Sequence, residues 1–218
     1  TYLSRNLPSL KKRVIGGYNL SCIGDNRSHS CMLSKYENSP SDEALLAAYK
    51  IKKINYKKYS FLDRGSDERQ FSSPGIDLPM ISMMRSKYGT YKEYHTSKDN
   101  FDVVNSKGLT MSFQIHKYVI NNLIKTDEKK IYLGKIKNYK KKKNNPISLI
   151  KCEPNMGKRG LYHLLGERKI KKSTKDLMNF LQYSDGSNSI KQISNLIKIN
   201  LKSTRAIYLL LKHKKLIK

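Results

Sequence analysis

Residues 63–99 read DRGSDERQFSSPGIDLPMISMMRSKYGTYKEYHTSKD, and they place an apolar run between two polar segments. The run at 76–84 has the length and composition of a buried strand. An acid-rich turn, Ser66-Asp67-Glu68, precedes it, and the polar stretch after it contains Tyr94-His95-Thr96. Because side chains on loops that follow strands converge at one end of a sheet, this stretch predicts an α/β layer with a candidate site at that end.

The flanking segments complete the prediction of an α/β domain. Helices are expected at 1–13 and 41–53, the second capped by Ser41 with acids in its first turn and lysines in its last. Strands are expected at 14–25 and 56–63, and a short helix at 67–75. A long amphipathic helix is expected over residues 106–125. Its predicted core face consists of Leu109, Phe113, His116, Ile120 and Leu123.

The composition changes near residue 126. A basic linker and connecting segment is predicted over 127–170, between an α/β domain at 1–126 and a small helical module at 171–218. The module shows three short helix patterns joined by short turns, two of them preceded by the N-cap candidates Ser173 and Ser189. This arrangement is typical of a winged-helix or helix-turn-helix unit.

Composition also bounds the class of protein. The 218 residues suffice for one medium domain with a small module. The sequence shows neither a membrane-spanning apolar run nor a secretory signal, and its three cysteines form no disulfide or zinc pattern, so we expect a cytoplasmic protein without membrane contact. Because Thr1 opens directly into a helix pattern, we also expect a fragment of a longer protein.

The chain is strongly basic, with 44 Lys and Arg against 17 Asp and Glu, a formal net charge of +27. Residues 1–126 carry 20 basic and 11 acidic residues, and residues 127–218 carry 24 and 6, so the excess is +9 in the first part and +18 in the second. An AT-rich genome explains such lysine enrichment, and a polyanion-binding surface explains its concentration in the second part. Both interpretations stay open.

The string SDERQFSSPGIDLP, followed by YHTSKDNFDVV, resembles the C-terminal half of the zinc aminopeptidase superfamily, which includes bacterial leucyl aminopeptidase and glutaminyl cyclase. Matching residues occur in order at Ser66-Asp67, Phe71, Gly75-Ile76, and His95-Thr96 with Asp99. The longer strings YSFLDRGSDERQF, MRSKYGTYKEYHTS and CEPNMGKRGLY are similar to a narrower group of bacterial aminopeptidase-like proteins. Members of that group carry a C-terminal winged-helix domain and are often linked to surface-polysaccharide gene clusters. The resemblance covers essentially the whole chain.

The resemblance implies a partial α/β/α sandwich that hydrolyses amide or peptide bonds with water activated by zinc. His95 would be a zinc ligand. Asp67 would orient a ligand or bind the substrate amine or the reacting water. Thr96 and Asp99 would fix the loop that carries His95. The implied substrate is a peptide-like or amide small molecule.

Two departures from the superfamily pattern matter. Glu68 stands where the superfamily has His, and Ser21 replaces the metal-binding Asp of the strand written Asn-Leu-Asp-Met-x-Gly. The loss of that carboxylate favours one zinc ion over two. The other ligands and the catalytic Glu would lie upstream of Thr1, so we expect the isolated chain to be inactive.

Other residues keep two interpretations. The tyrosines of the His95 loop either line a substrate pocket or pack the loop (Tyr88, Tyr91 and Tyr94). Three arginines bind a substrate carboxylate or structural acids, with the structural role favoured (Arg64, Arg69 and Arg85). Cys22 is expected to be a buried small apolar residue.

Two functions therefore remain in competition. The first is a zinc-dependent aminopeptidase-like hydrolase. The second is a non-catalytic peptidase-fold scaffold with a winged-helix module that binds DNA or protein. In the DNA case, Lys202, Arg205 and Lys212 on the presumed recognition helix would contact phosphates. The sequence does not indicate an oligomeric state.

Overall fold

The computed structural model describes residues 2–125, 141–162 and 173–218. The predicted linker lies partly outside these ranges, at 126–140 and 163–172. The chain divides into two compact units, which we call the sheet unit and the C-terminal unit. The sheet unit lies within Pro8–Ser72 and Leu78–Lys137, and the C-terminal unit within Thr1–Leu7, Ser73–Asp77 and Asn138–Lys218.

The sheet unit is built on one mixed sheet of four short strands in the order β1-β4-β2-β3. The strands are β1 (Gly17–Leu20), β2 (His29–Met32), β3 (Tyr56–Tyr59) and β4 (Met80–Met84). β1 is parallel to β4, β2 is parallel to β3, and β2 is antiparallel to β4. The predicted α/β class is confirmed, although each predicted strand is longer than the observed one. β2 was not predicted, because four residues that begin with His and Ser show no alternation.

Four α-helices accompany the sheet in the first part of the chain. They are α1 (Tyr2–Arg13), α2 (Pro40–Ile51), α3 (Glu68–Phe71) and α4 (Ser106–Lys125). All four correspond to predicted helices, and a single 3-10 turn at Phe61–Asp63 follows β3. Helix α1 belongs to both units, since the division falls after Leu7.

The predicted cap of α2 is wrong by one turn position. Ser39, not Ser41, is the N-cap, and its hydroxyl accepts from the Asp42 N–H while the Asp42 carboxylate accepts from the Ser39 N–H. Pro40 occupies the first helical position, where its missing N–H costs nothing. Ser41 is buried and joins α2 to the sheet, since its hydroxyl donates to the Pro79 carbonyl and accepts from the Gly17 N–H.

The two faces of the sheet are covered differently. One face packs against α2 and α4 through a core of buried apolar residues, among them Cys31, Leu45, Tyr49, Ile81 and Val119. The opposite face presents Met32 and Met84, which pack with Tyr88 and with the half-buried Cys22, Tyr59 and Tyr94. This alternation follows from the strand period of two. It places the loop that carries His95 over the face without α2 and α4.

The predicted core face of α4 is wrong. The residues that α4 buries are Ser112, Ile115 and Val119, whereas Leu109 is 42% exposed and Phe113 is 64% exposed. Gly108 brings the start of the helix against the loop after β1, where an added Cβ would overlap the Gly24 carbonyl. The packed face is therefore the one that admits this close approach.

The C-terminal unit contains the predicted three-helix module. Its helices are α5 (Thr174–Tyr183), α6 (Ile190–Ile197) and α7 (Leu201–His213), and Ser173 and Ser189 cap the first two as predicted. Antiparallel bridges join Ile147 to Asp185 and Ser148 to Ile217. These bridges add the small β element of a winged helix to the helical core. Among the residues described, no helix has the length and apolar character needed to cross a membrane.

Candidate functional site

The loops that follow β1 and β4 meet at one edge of the sheet, because these strands are parallel neighbours. The N–H of Arg85 donates to the Cys22 carbonyl at 2.9 Å, and the N–H of Asn105 donates to the Gly24 carbonyl at 3.0 Å. These bonds attach both ends of the 85–105 segment to the loop that contains Ser21. His95 and the position of the missing metal-binding Asp therefore belong to one connected group of loops.

His95 lies in a series of tight turns. Turn hydrogen bonds run from the Tyr94 N–H to Tyr91 and from the Thr96 N–H to Glu93. His95 has a φ of 58°, in the left-handed region that few residues other than glycine adopt without support. Its imidazole is solvent-exposed and stacks on the Tyr94 ring, with centroids 3.9 Å apart and planes 16° apart. The turns and the stacking fix the ring while leaving its outer face open.

Thr96 helps to hold this loop. Its hydroxyl donates to the Glu93 carbonyl at 2.8 Å and accepts from the Lys98 N–H at 3.2 Å. Glu93 is in turn paired with Arg27 at 3.1 Å, and the Arg27 guanidinium lies 5.5 Å from the centre of the Tyr91 ring. The ion pair raises the pKa of Arg27 through its hydrogen bond with Glu93. These contacts tie the His95 loop to the segment before β2.

The Ser66-Asp67-Glu68 turn divides its two acids between solvent and interior. Asp67 is exposed and makes no side-chain capping bond to α3. Glu68 is only 1% exposed. Its Oε1 accepts from the N–H groups of Gly65 and Ser66 and from the Tyr88 hydroxyl, and its Oε2 accepts from Ser82 and Asn19. Five donors therefore surround the buried carboxylate.

These donors keep Glu68 ionised. Burial by itself raises the pKa of the Glu68 carboxyl, but the bonds from Ser82, from the backbone of Gly65 and Ser66, and from Tyr88 outweigh it and leave the pKa below its ordinary value. The same carboxylate and burial raise the pKa of the Tyr88 phenol, which stays protonated as a donor. Glu68 thus anchors the turn that presents Asp67.

A line of ring contacts connects this anchor to His95. The Tyr88 ring, bonded to Glu68, lies 6.3 Å from the Tyr94 ring, on which His95 stacks. Within the described residues, no hydrogen bond or ion pair joins Asp67 directly to His95. The two predicted site residues are therefore linked through Glu68, Tyr88 and Tyr94. Of the two interpretations kept for the tyrosines, the contacts of Tyr88 and Tyr94 show the packing role.

A second buried polar group lies at the same edge. The Asp25 carboxylate accepts from the N–H of Arg27 and from both the N–H and the hydroxyl of Ser86. Arg85 donates from Nε to the Asp25 carbonyl at 2.7 Å and contacts His29 Nε2 through Nη1. Burial, and then the Arg85 charge, lower the pKa of His29 to about 4. Arg85 therefore has the structural role that was favoured for it.

The C-terminal unit presents a basic helix surface. Lys202, Arg205 and Lys212 are all exposed on α7, and their spacing places them within about 80° of one another around the helix axis. Ile207 and Leu211 are buried, as predicted, whereas Leu201 and Leu210 are only half-buried. Residues 190–218 contain eight Lys or Arg and no Asp or Glu.

Family comparison assigns the two parts of the chain separately. Residues 1–126 match the model of a family described as a domain of unknown function, DUF4910. The chain belongs to the DUF4910 family. Residues 144–218 match a winged helix-turn-helix family, which agrees with the bridges and helices of the C-terminal unit.

Longer relatives of this DUF4910 chain are named after peptidases. A Clostridium acetobutylicum protein, provisionally named as a polysaccharide biosynthesis protein with an aminopeptidase-like domain, is 35% identical over 195 residues. The match covers 89% of this chain and 41% of that protein. A crystal structure of a provisionally named peptidase from the same organism aligns with all of this chain and 44% of its own, with 29% identity and a TM-score of 0.51. The chain thus spans about two fifths of the length of these relatives.

The donor set of this DUF4910 chain is incomplete for zinc. A catalytic zinc takes three protein ligands, and the described residues contain no group of three His, Cys, Asp or Glu that could hold a metal ion. His95 offers one accessible imidazole, and Ser21 offers a hydroxyl in place of a carboxylate. The described residues therefore do not form a zinc site by themselves.

Two functional features of the chain escaped sequence reasoning. Glu68 was noted only as a substitution for His, since the donors at 19, 82 and 88 converge only in the folded sheet. His29 was given no role, because strand β2, which buries it, was not predicted. An acid directly before a short helix and a His beside a buried Cys-Met-Leu run are the weak signals that the sequence offers for them.

Proposed function

We propose that this chain is part of an aminopeptidase-like hydrolase that depends on one zinc ion and cleaves an amide or peptide bond. The exposed, stacked imidazole of His95 at the carboxyl ends of β1 and β4 is the observation that carries the proposal. The names of the longer relatives support the same activity. When bound, zinc would polarise the scissile carbonyl and activate water.

Each residue of this chain would have a limited role. His95 would hold the metal through its exposed ring, with the remaining ligands and the general base supplied from outside the described residues. Asp67 would bind the protonated amine of the substrate or orient a ligand, since its carboxylate is exposed and makes no capping bond. Glu68 would hold Asp67 and, through Tyr88, the His95 loop in position. The name of one relative extends the substrate class to amides of sugar derivatives.

The test is an assay of the protein expressed from the complete open reading frame, with aminoacyl p-nitroanilides and an N-acetylated amino sugar as substrates. Asp67→Asn should lower kcat/KM about 10- to 100-fold without unfolding the protein. Asp102→Asn, which alters another exposed loop acid, is the matched control and should keep full activity. Absence of hydrolysis in zinc-supplemented wild type, or full activity in Asp67→Asn, would count against the proposal.

We also propose nucleic-acid binding by the winged-helix module. The supporting observation is the run of 29 residues, 190–218, that carries eight basic residues and no acidic one around an exposed α7 face. Lys202, Arg205 and Lys212 would contact phosphates. The exposed Leu209, on the same face, is the feature that would suit a protein partner instead.

Salt dependence separates these two partners. For duplex DNA, replacing Lys202, Arg205 and Lys212 by Ala should weaken binding and reduce the slope of log K against log salt by about 2.7, about 0.9 for each lost phosphate contact. Replacing Lys50, Lys107 and Lys117 removes the same charge from the sheet unit and should leave the slope unchanged. Equal effects of the two triple variants would show non-specific charge attraction and contradict a recognition role for α7.

A further inference from the structure

Helix α4 carries a second apolar stripe that the sheet unit does not bury. Leu109, Phe113, Ile120 and Ile124 follow helical spacing over about 22 Å of helix. Leu109 is 42%, Phe113 64% and Ile124 71% exposed. The buried face of Ser112, Ile115 and Val119 lies on another side of the same helix. This stripe is longer than the isolated exposed apolar residues that are normal on protein surfaces.

The stripe borders an open edge of the sheet. β1 is an outermost strand and pairs only with β4 in the described sheet. The ring of Tyr18 on β1 contacts the ring of His116 on α4 edge-on, with centroids 5.8 Å apart. His116 lies between Phe113 and Ile120 along α4, so the stripe and the β1 edge form one continuous surface, which we call the β1–α4 surface.

The chemistry of this surface suits a polypeptide. The free edge of a strand presents backbone N–H and C=O groups that another strand can pair, and a lipid surface offers no such partner. A second copy would fit poorly, because α4 contains Lys107, Lys117 and Lys125 and no acid. A two-fold contact between two α4 helices would bring these like charges together.

We propose that the β1–α4 surface docks a strand and an apolar helix face from the part of the polypeptide that the longer relatives have beyond their match to this chain. That part is large, since the match leaves more than half of each relative uncovered. The docked strand extends the sheet next to β1, and the docked helix covers Leu109, Phe113 and Ile124. The hydrophobic gain from covering these side chains holds the two parts together.

The solved Clostridium acetobutylicum structure gives the first test. The exposed fraction is measured at the positions that superpose on Leu109, Phe113 and Ile124. The expected result is a fall to below a tenth at the Phe113 position, with covering atoms from the part of that chain outside the match. Positions as exposed as Phe113 is here, or covered by another copy, would overturn the proposal.

The second test uses this chain in sedimentation experiments. Wild type, Phe113→Asp and the control Phe101→Asp, which changes a 92% exposed loop residue away from the stripe, should all be monomers. A dimer lost only in Phe113→Asp would make the surface a self-association site and overturn the proposal. Binding to vesicles that contain anionic lipid, lost in Phe113→Asp and kept in Phe101→Asp, would overturn it in favour of a membrane surface.

Discussion

The hydroxyl of Tyr88 donates a 3.0 Å hydrogen bond to Oε1 of the buried Glu68. This bond joins the turn that presents Asp67 to the rings against which His95 is stacked. It also explains why an acid is tolerated in the interior of the sheet unit, since four further donors satisfy the same carboxylate. The stability of the candidate site therefore depends on the charge of Glu68.

Replacing Glu68 by Gln should lower the free energy of unfolding by about 2–3 kcal/mol. The amide loses the charge-assisted bonds and turns an NH2 group toward at least one donor. Urea unfolding followed by circular dichroism measures the change. Asp67→Asn is the matched control, because the neighbouring carboxylate is exposed and should change stability by less than about 0.5 kcal/mol. Equal losses in the two variants would show that the Glu68 bonds contribute little.

Stability should fall as the pH decreases from 6.5 toward 4. Folded His29 has a pKa of about 4 and the unfolded chain about 6.5, so the unfolded state binds more protons in this window. The slope from this group is at most about 1.4 kcal/mol per pH unit. Burial lowers the pKa of His116 as well, which adds in the same direction.

Thermal unfolding of His29→Gln between pH 5 and pH 7 checks this origin. The variant should lose most of the pH dependence, whereas His213→Gln, which changes an exposed histidine, should keep it. A wild-type melting temperature that is constant across this range would contradict a buried, neutral His29.

The two apolar stripes of α4 should respond differently to truncation. Ile115→Ala should cost about 2–4 kcal/mol of unfolding free energy, because Ile115 is buried in the core shared with the sheet. Phe113→Ala should cost less than about 0.5 kcal/mol in this chain, since its ring is mostly in solvent. The reverse ranking would show that the face predicted from the sequence is the packed one.

That comparison illustrates what local pattern can predict. Helical spacing and caps located α4 and the helices of the C-terminal unit, because these signals lie within a few residues of one another. The choice between two apolar stripes depends on Gly108, which permits the helix to approach the Gly24 carbonyl, and no period reports that contact. For α2, Pro40 at the first helical position was a usable signal that the cap is Ser39 and not Ser41.

The candidate site shows the same division. His95 and Asp67 were proposed from a resemblance, and the structure places both at exposed positions on loops of the sheet unit. Their connection through Glu68, Tyr88 and Tyr94 depends on residues that lie far apart in sequence. The roles of His95 in binding zinc and of Asp67 in orienting substrate remain predictions.

The most direct test of a zinc-dependent hydrolase is the metal content of the protein expressed from the complete open reading frame. Elemental analysis is made on wild type, His95→Ala and His213→Ala after dialysis. We predict about one zinc per chain in wild type and His213→Ala, in keeping with a single catalytic ion, and its loss in His95→Ala. A wild-type protein without zinc, or stoichiometric zinc retained in His95→Ala, would contradict the account.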